Sequence, residues 1–440
     1  MKLEKFVDKA LGNELYKAQL SSGMEATLIP LNPAVNRTMV HLYTRFGSID
    51  AKFLDSNLGK EVEVEDGTAH FLEHCAFYDP EGNDALQWFG KKGVSGNAWT
   101  SFDHTCYHFS SINENLKRNL DFLISFVTTP FLTDKVVEKE KGVIDQEIAM
   151  YEDMPGQVIL VNLQKALMKK HAFARSIAGD RNSIRRITKE YLISAYNTFY
   201  HPSNLKLVML IPSESKDAMK YFELAEEINN GKNFSPQKAP EFVYVDEPLE
   251  VNQKKIVARH KVPEPLVFMG FKGSMGMDKN ADERLRENIV SDLLVKTVFS
   301  PSSKAFYELV LKKVIRPNSF EGFSYSGRGF GIFGVNGSID DEDKFVNGVN
   351  EMVKKQVNGE MSKDLFDIVK KASINEMAKV FELESPRSLQ SAMIHILASG
   401  FNPMNYMSTL LDVTYEDVLE AGKKYLDTDN YAVSVLLPEE

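Results

Sequence analysis

Apolar positions along the chain switch repeatedly between the helical period of 3.6 and the strand period of 2. Residues 188–212, TKEYLISAYNTFYHPSNLKLVMLIP, read as a helix capped by Thr, a polar turn, and an apolar strand ending in Pro. Residues 414–438, TYEDVLEAGKKYLDTDNYAVSVLLP, repeat that pattern 226 positions later. The same offset carries Arg45-Phe46-Gly47-Ser48 onto Phe271-Lys272-Gly273-Ser274, each at the end of an apolar strand. Agreement at two distant places predicts an internal duplication. Each half reads strand, helix, helix, strands, long helices, helix, strand. That mixture predicts an α+β fold of two homologous α/β-layer halves, not an alternating parallel sheet. The domains expected are 1–215, a polar Pro- and Asn-containing linker at 216–250, and 251–440.

Composition narrows the function classes. With 440 residues, 43% hydrophobic and 26% charged, the chain has sizeable cores. No apolar run approaches the roughly 18 residues of a membrane span. The first residues, MKLEKFVDKALGNEL, carry charges throughout and lack the apolar core of a signal peptide. Two cysteines, Cys75 and Cys106, make no disulfide framework, so a reducing, cytoplasmic setting is expected. A net charge of −10 argues against a general nucleic-acid binder.

The chemistry concentrates in Gly67–Tyr78, GTAHFLEHCAFY. On a helix, His70 and His74 stand four apart on one face, with Glu73 beside them and Ala69, Leu72 and Ala76 on the other side. Two imidazoles one turn apart can chelate one Zn2+, and a carboxylate just before the second can reach a zinc-bound water. The motif is the inverse of H-E-x-x-H. A third ligand is sought in the helix KVVEKEKGVIDQEIAMY, residues 135–151. At about 100° per residue, Glu140 and Glu147 fall within the apolar stripe of Val136, Ile144 and Ile148, while Glu138 and Asp145 fall on the solvent side. Carboxylates on a buried stripe are costly unless paired with a base or metal-bound. Both Glu140 and Glu147 are therefore candidates at this point.

Three other features have plainer readings. His104, Cys106 and His108 share one face of a strand, close enough for a two-ligand grip on a metal, but the strand is rich in Phe, Tyr and Thr, where buried Cys and His usually pack. Gly327-Arg328-Gly329-Phe330-Gly331 lies in a strand-like segment and lacks the strand-to-helix switch of a phosphate loop. The acidic run Glu61–Asp66 reads as a solvated loop before the motif helix, one that could also repel acidic substrates.

Together these segments resemble the inverted-zincin metallopeptidases: pitrilysin, insulin-degrading enzyme and the mitochondrial processing peptidase. HFLEH at 70–74 resembles the zinc motif, GNAWTSFDHTCYHF at 96–109 the G-N-A-x-T strand, EKGVIDQEIAMYEDMP at 140–155 the third-ligand segment, and FYHPSN at 199–204 the end of the first repeat. The nearest branch is that of half-length bacterial proteins of the YmfH type. The resemblance implies zinc held by His70, His74 and Glu147, with Glu140 as the carboxylate supporting the site and Glu73 as general base. It implies that Asn97 and Ala98 lie on an edge strand that takes up the peptide substrate as an added strand. It also implies two halves arranged as bowls around a chamber, and a homo- or heterodimer with a homologous subunit. Full-length relatives carry an Arg and a Tyr seven apart to assist the oxyanion; here the position seven after Arg328 is Val335, and Tyr325 and Arg328 are only the nearest polar pair. The rival implied by the same fold is a non-catalytic processing or assembly subunit.

Overall fold

The computed structural model describes residues 1–55, 58–79, 83–234, 237–273, 279–381 and 393–439. The chain divides into two compact units. The first unit comprises residues 1–148, 176–244 and 378–404, and the second 149–175, 245–377 and 405–440.

The first unit is built on strands β1 (Leu3–Val7), β2 (Glu14–Gln19), β3 (Glu25–Leu31), β4 (Thr38–Thr44), β5 (Lys52–Asp55), β6 (Lys60–Glu63), β7 (Ser95–Thr100), β8 (Thr105–Ser111), β9 (Leu205–Pro212) and β10 (Glu241–Phe242). Seven of them form one sheet in the order β1-β2-β3-β9-β4-β8-β7, and β10-β5-β6 form a small second one. Helices α1 (Thr68–Ala76), α2 (Ala85–Lys91) and α3 (Leu116–Thr128) belong to this unit, as does α4 (Asp134–Glu152) up to Ile148, and α5 (Pro155–Leu167) follows in the second. The strands β4 and β9 are buried along almost their whole length, as near-continuous apolar runs require.

The second unit carries β11 (Lys255–His260), β12 (Leu266–Gly273), β13 (Glu321–Gly327), β14 (Phe330–Ser338) and β15 (Tyr431–Pro438), ordered β11-β15-β12-β14-β13. This order repeats β3-β9-β4-β8-β7 strand for strand. In each unit the first pair is parallel and the other three are antiparallel. The α+β class and the duplicated halves are thus present in the fold. Pairing also corrects the alignment of the halves by one residue. Leu205 pairs with Thr44, and Tyr431, its counterpart at an offset of 226, pairs with Phe271. Thr44 and Phe271 are 227 apart, so Arg45 corresponds to Lys272 and not to Phe271. Ser274 lies outside the described residues.

The units interleave along the sequence. α5 lies against β11, β12 and β15 of the second unit, while residues 378–404 join the first. Within 216–250, the helix Ala218–Asn230 buries Tyr221, Phe222, Ala225 and Ile228, a three-and-four spacing that demands a partner surface, and it packs against β3 and α3.

One buried charge cluster of the second unit is structural. Glu287, on the helix Ala281–Val298, accepts from Lys279 Nζ at 2.9 Å, from Lys424 Nζ at 3.0 Å and from the Tyr425 hydroxyl. Burial alone would push its carboxyl up, but Tyr425, Lys279 and Lys424 outweigh it and hold the pKa at about 2. A depressed carboxylate stabilises fully above its unfolded pKa, near 4.5, and loses that contribution as the pH falls toward 2. Glu287→Gln is expected to cost ~2 kcal/mol at pH 7, below the usual cost of breaking a buried pair because the lysines are partly solvated. Urea unfolding at pH 7 and pH 3 checks this: the gap to wild type must narrow at the lower pH.

Candidate active site

The motif helix begins where two glycines meet. Gly67 has φ +87°, and a Cβ there would come within 2.5 Å of the Ala178 carbonyl oxygen. Gly179, at φ +75°, would meet the Asp66 carbonyl oxygen at the same distance. Only glycine allows this backbone approach, which fixes where α1 starts. All residues of α1 except His74 are buried. Its apolar side, Phe71, Leu72, Cys75 and Ala76, anchors it in the core.

The opposite side faces α4. His70 Nε2 lies 3.6 Å and His74 Nε2 3.4 Å from the same oxygen, Glu147 Oε2. Among the described residues, His70, His74 and Glu147 form a group able to hold a metal ion, their ligand atoms all within 4.8 Å of one another. Glu140, two turns earlier on α4, takes the other nitrogen of His74: Nδ1 to Oε2 is 3.0 Å. With a metal bound, that bond would hold the proton on Nδ1 and leave Nε2 free to ligate. The donor set of two imidazole nitrogens and one carboxylate oxygen suits zinc and leaves a fourth position open. On α4, Val136, Val137, Glu140, Ile144 and Ile148 are buried and Glu147 is half-buried. Glu138 is exposed and bonded to Lys141, and Asp145 pairs with Arg181 at 3.7 Å.

Glu73 stands apart from the three. It is buried, and its Oε2 accepts the Thr100 hydroxyl at 2.6 Å. Burial raises its carboxyl above the ordinary range, against the pull of His70, the Thr100 bond and His74. For His74, burial disfavours the charge, but Glu140 and Glu147 outweigh it and hold the pKa at about 9. Burial likewise opposes ionisation of Glu140, and the bonds from His74 and Tyr78 prevail and lower its pKa.

β7 is an edge of the seven-stranded sheet. Asn97 is exposed and Ala98 half-buried on it; Ala98 and Thr100 share a face, since side chains alternate along a strand. Tyr325 and Arg328 belong to the second unit. Tyr325 lies on β13, and Arg328 with Gly329 makes the two-residue turn into β14, where Gly329 has φ +81°. This hairpin is the role of the Gly-Arg-Gly segment. His171 donates from Nε2 to the Arg328 carbonyl at 2.9 Å, its Nδ1 being occupied by the Phe173 amide.

The histidine-rich strand is packing. His104 Nε2 accepts from Trp99 Nε1 at 3.2 Å, and its Nδ1 meets Asp103 at 2.7 Å. His108 stacks on His41 with ring centres 5.3 Å apart, and Cys106 is fully buried. In the acidic run, Glu65 is gripped by both arms of Arg186, at 2.9 and 2.7 Å. Two contacts of the site are not assigned by the sequence reading, those of Tyr78 and of Thr100, the last residue of the G-N-A-x-T strand. Their signals are present in the spacing, Tyr78 one helical turn after His74 and Thr100 two residues after Ala98.

Comparison with known proteins agrees with this architecture. Residues 57–181 match the family described as insulinase (peptidase family M16), and residues 186–373 match the peptidase M16 inactive domain. The chain is 32% identical over 431 residues to the uncharacterized zinc protease YmfH of Bacillus subtilis, covering 98% of both. A crystal structure of an M16-like peptidase from Alicyclobacillus acidocaldarius superposes with a TM-score of 0.88 at 29% identity, over 98% of this chain and 100% of that one. The human mitochondrial-processing peptidase subunit beta is 28% identical over 205 residues, 43% of this chain and 42% of its own. The chain belongs to the M16 peptidase family. No helix of the described residues is long and apolar enough to cross a membrane.

Proposed function

We propose that the chain is a zinc-dependent endopeptidase acting on peptides or unfolded segments. The observation that carries this reading is the convergence of His70, His74 and Glu147 within 4.8 Å, beside a separate buried carboxylate, Glu73, oriented by Thr100. His70, His74 and Glu147 would hold the ion. When bound, zinc would supply Lewis acidity, bringing a water's pKa to about 7 and polarising the scissile carbonyl. Glu73 takes a proton from the attacking water and later passes it to the leaving amine. Its burial suits the second half of that task, because the protonated acid is favoured there. Glu140 holds the His74 ring in the orientation and tautomer that ligation needs. Edge strand β7 offers Asn97 and Ala98 as the backbone to which an extended peptide adds as a strand.

The proposal includes a second, homologous subunit, identical or not. It rests on the relative named as a subunit, the mitochondrial-processing peptidase subunit beta. Such a partner would supply the oxyanion assistance for which Tyr325 and Arg328 lack the family spacing. The rival, a non-catalytic subunit, is disfavoured because His70, Glu73, His74 and Glu147 all stand in place.

The test is metal content and cleavage together. The purified full chain is expected to carry about one zinc, as a site of three protein ligands would, and to cleave an unstructured peptide. His70→Ala or His74→Ala should release the ion and abolish cleavage. Cleavage that persists in zinc-free protein overturns the proposal.

A further inference from the structure

Tyr78 stands one turn beyond His74, just past the end of α1. Its hydroxyl donates to Glu140 Oε1 at 2.8 Å, while His74 Nδ1 meets Oε2 of the same carboxylate at 3.0 Å. Lys139, the neighbour of Glu140 on α4, donates from Nζ to the Tyr78 oxygen at 2.9 Å and lies 4.4 Å from the ring centre. An ammonium group can only donate, so it takes the acceptor side of the phenol and turns the phenol proton toward Glu140. The Glu140 side chain is 3% exposed. A carboxylate so buried cannot leave one oxygen unpaired cheaply, and a carboxylate tied at one oxygen only is free to swing about that bond. Tyr78 closes this degree of freedom.

We propose that Tyr78, steered by Lys139, is a positioning residue of the zinc site: it locks Glu140, and through Glu140 the His74 ring, and so tightens zinc binding. The inference rests on the zinc reading of His70, His74 and Glu147. A phenylalanine at 78 would fill the same space without the hydroxyl, so packing and positioning separate cleanly.

Zinc dissociation constants of the full chain, measured by competition with a chromophoric chelator, test it in wild type, Tyr78→Phe, Glu140→Gln and the double variant. Circular dichroism of the metal-free proteins verifies that all four fold alike. Loss of a partner directly on a ligating His costs ~10–100-fold in affinity, which is expected for Glu140→Gln. Tyr78 acts one bond further out, so Tyr78→Phe is expected to lose ~3–10-fold, less than that range. The double variant should match Glu140→Gln to within about 2-fold, because residues acting through one another are not additive. If wild type binds zinc and Tyr78→Phe binds it equally tightly, the role of Tyr78 is overturned while the metal reading stands. If the double variant loses the product of the two single effects, Tyr78 does not act through Glu140 and the proposal falls. If wild type takes up no zinc, the metal reading falls and the proposal with it.

Discussion

Glu73→Gln is expected to keep its zinc and its fold and to lose peptide hydrolysis by ~10²–10⁴-fold or more, since one residue serves as base and then as acid. The substitution is nearly isosteric, and an amide oxygen can still accept the Thr100 hydroxyl that now bonds Oε2 at 2.6 Å. The side chain is not one of the three that form the metal group, His70, His74 and Glu147, so the proposed ligand set is untouched. What disappears is the ability to take up a proton at the right place. Zinc content by elemental analysis and kcat/KM on an unstructured peptide are measured on the same preparation. Near-full activity with Gln at 73 rejects the role of Glu73. Wild type that holds zinc and cleaves no peptide in any assembly favours the rival, a non-catalytic subunit, because the variant then has nothing to lose.

The parts of this molecule legible in its sequence are those governed by a period. Along α4, a stripe of apolar residues interrupted by Glu140 and Glu147 is readable because a helix repeats its face every 3.6 residues, and Glu140 is buried on that stripe while Glu147 is half-buried at its edge. The duplicated end of each half is readable from a Thr cap, a turn and an apolar strand; Thr188 and Thr414 do cap their helices. What the sequence conceals is which surface each face meets. The pattern of α5 announces a buried side, but nothing in it says that the side lies on β12 and β15 of the second unit. The one-residue error between β4 and β12 has the same origin, since register is set by pairing across the sheet and not along the strand. Asp145 falls on the solvent side by angle, yet it is half-buried and paired with Arg181, which arrives from a segment distant in sequence. Thr100 and Tyr78 are invisible as partners for that reason too: a hydroxyl carries no period, and its acceptor is chosen by the tertiary fold.

Glu147→Gln and Glu140→Gln are expected to separate by at least an order of magnitude in zinc affinity, and the structure gives the reason for the order. Glu147 offers one oxygen 3.4–3.6 Å from the Nε2 atoms of both histidines, where a shared ion would sit. Glutamine there replaces a charged ligand by a neutral amide oxygen, so affinity should fall by more than the ~10–100-fold typical of outer partners. Of the three metal-group residues Glu140 bonds His74 alone, at Nδ1 on the far side of the ring, while its other oxygen accepts the Tyr78 hydroxyl, and Glu140→Gln should stay within that range. Glu138, exposed and bonded to Lys141, and Asp145, paired with Arg181, serve as controls on the same helix. Glu138→Gln and Asp145→Asn should leave both zinc and hydrolysis unchanged. All four variants are titrated against a graded series of chelators, and the chelator strength at which each releases half its zinc is read. If the Glu140 variant releases zinc before the Glu147 variant, the two carboxylates exchange roles. If either control releases it early, α4 presents a different face to α1 in solution, and the ligand assignment falls with it.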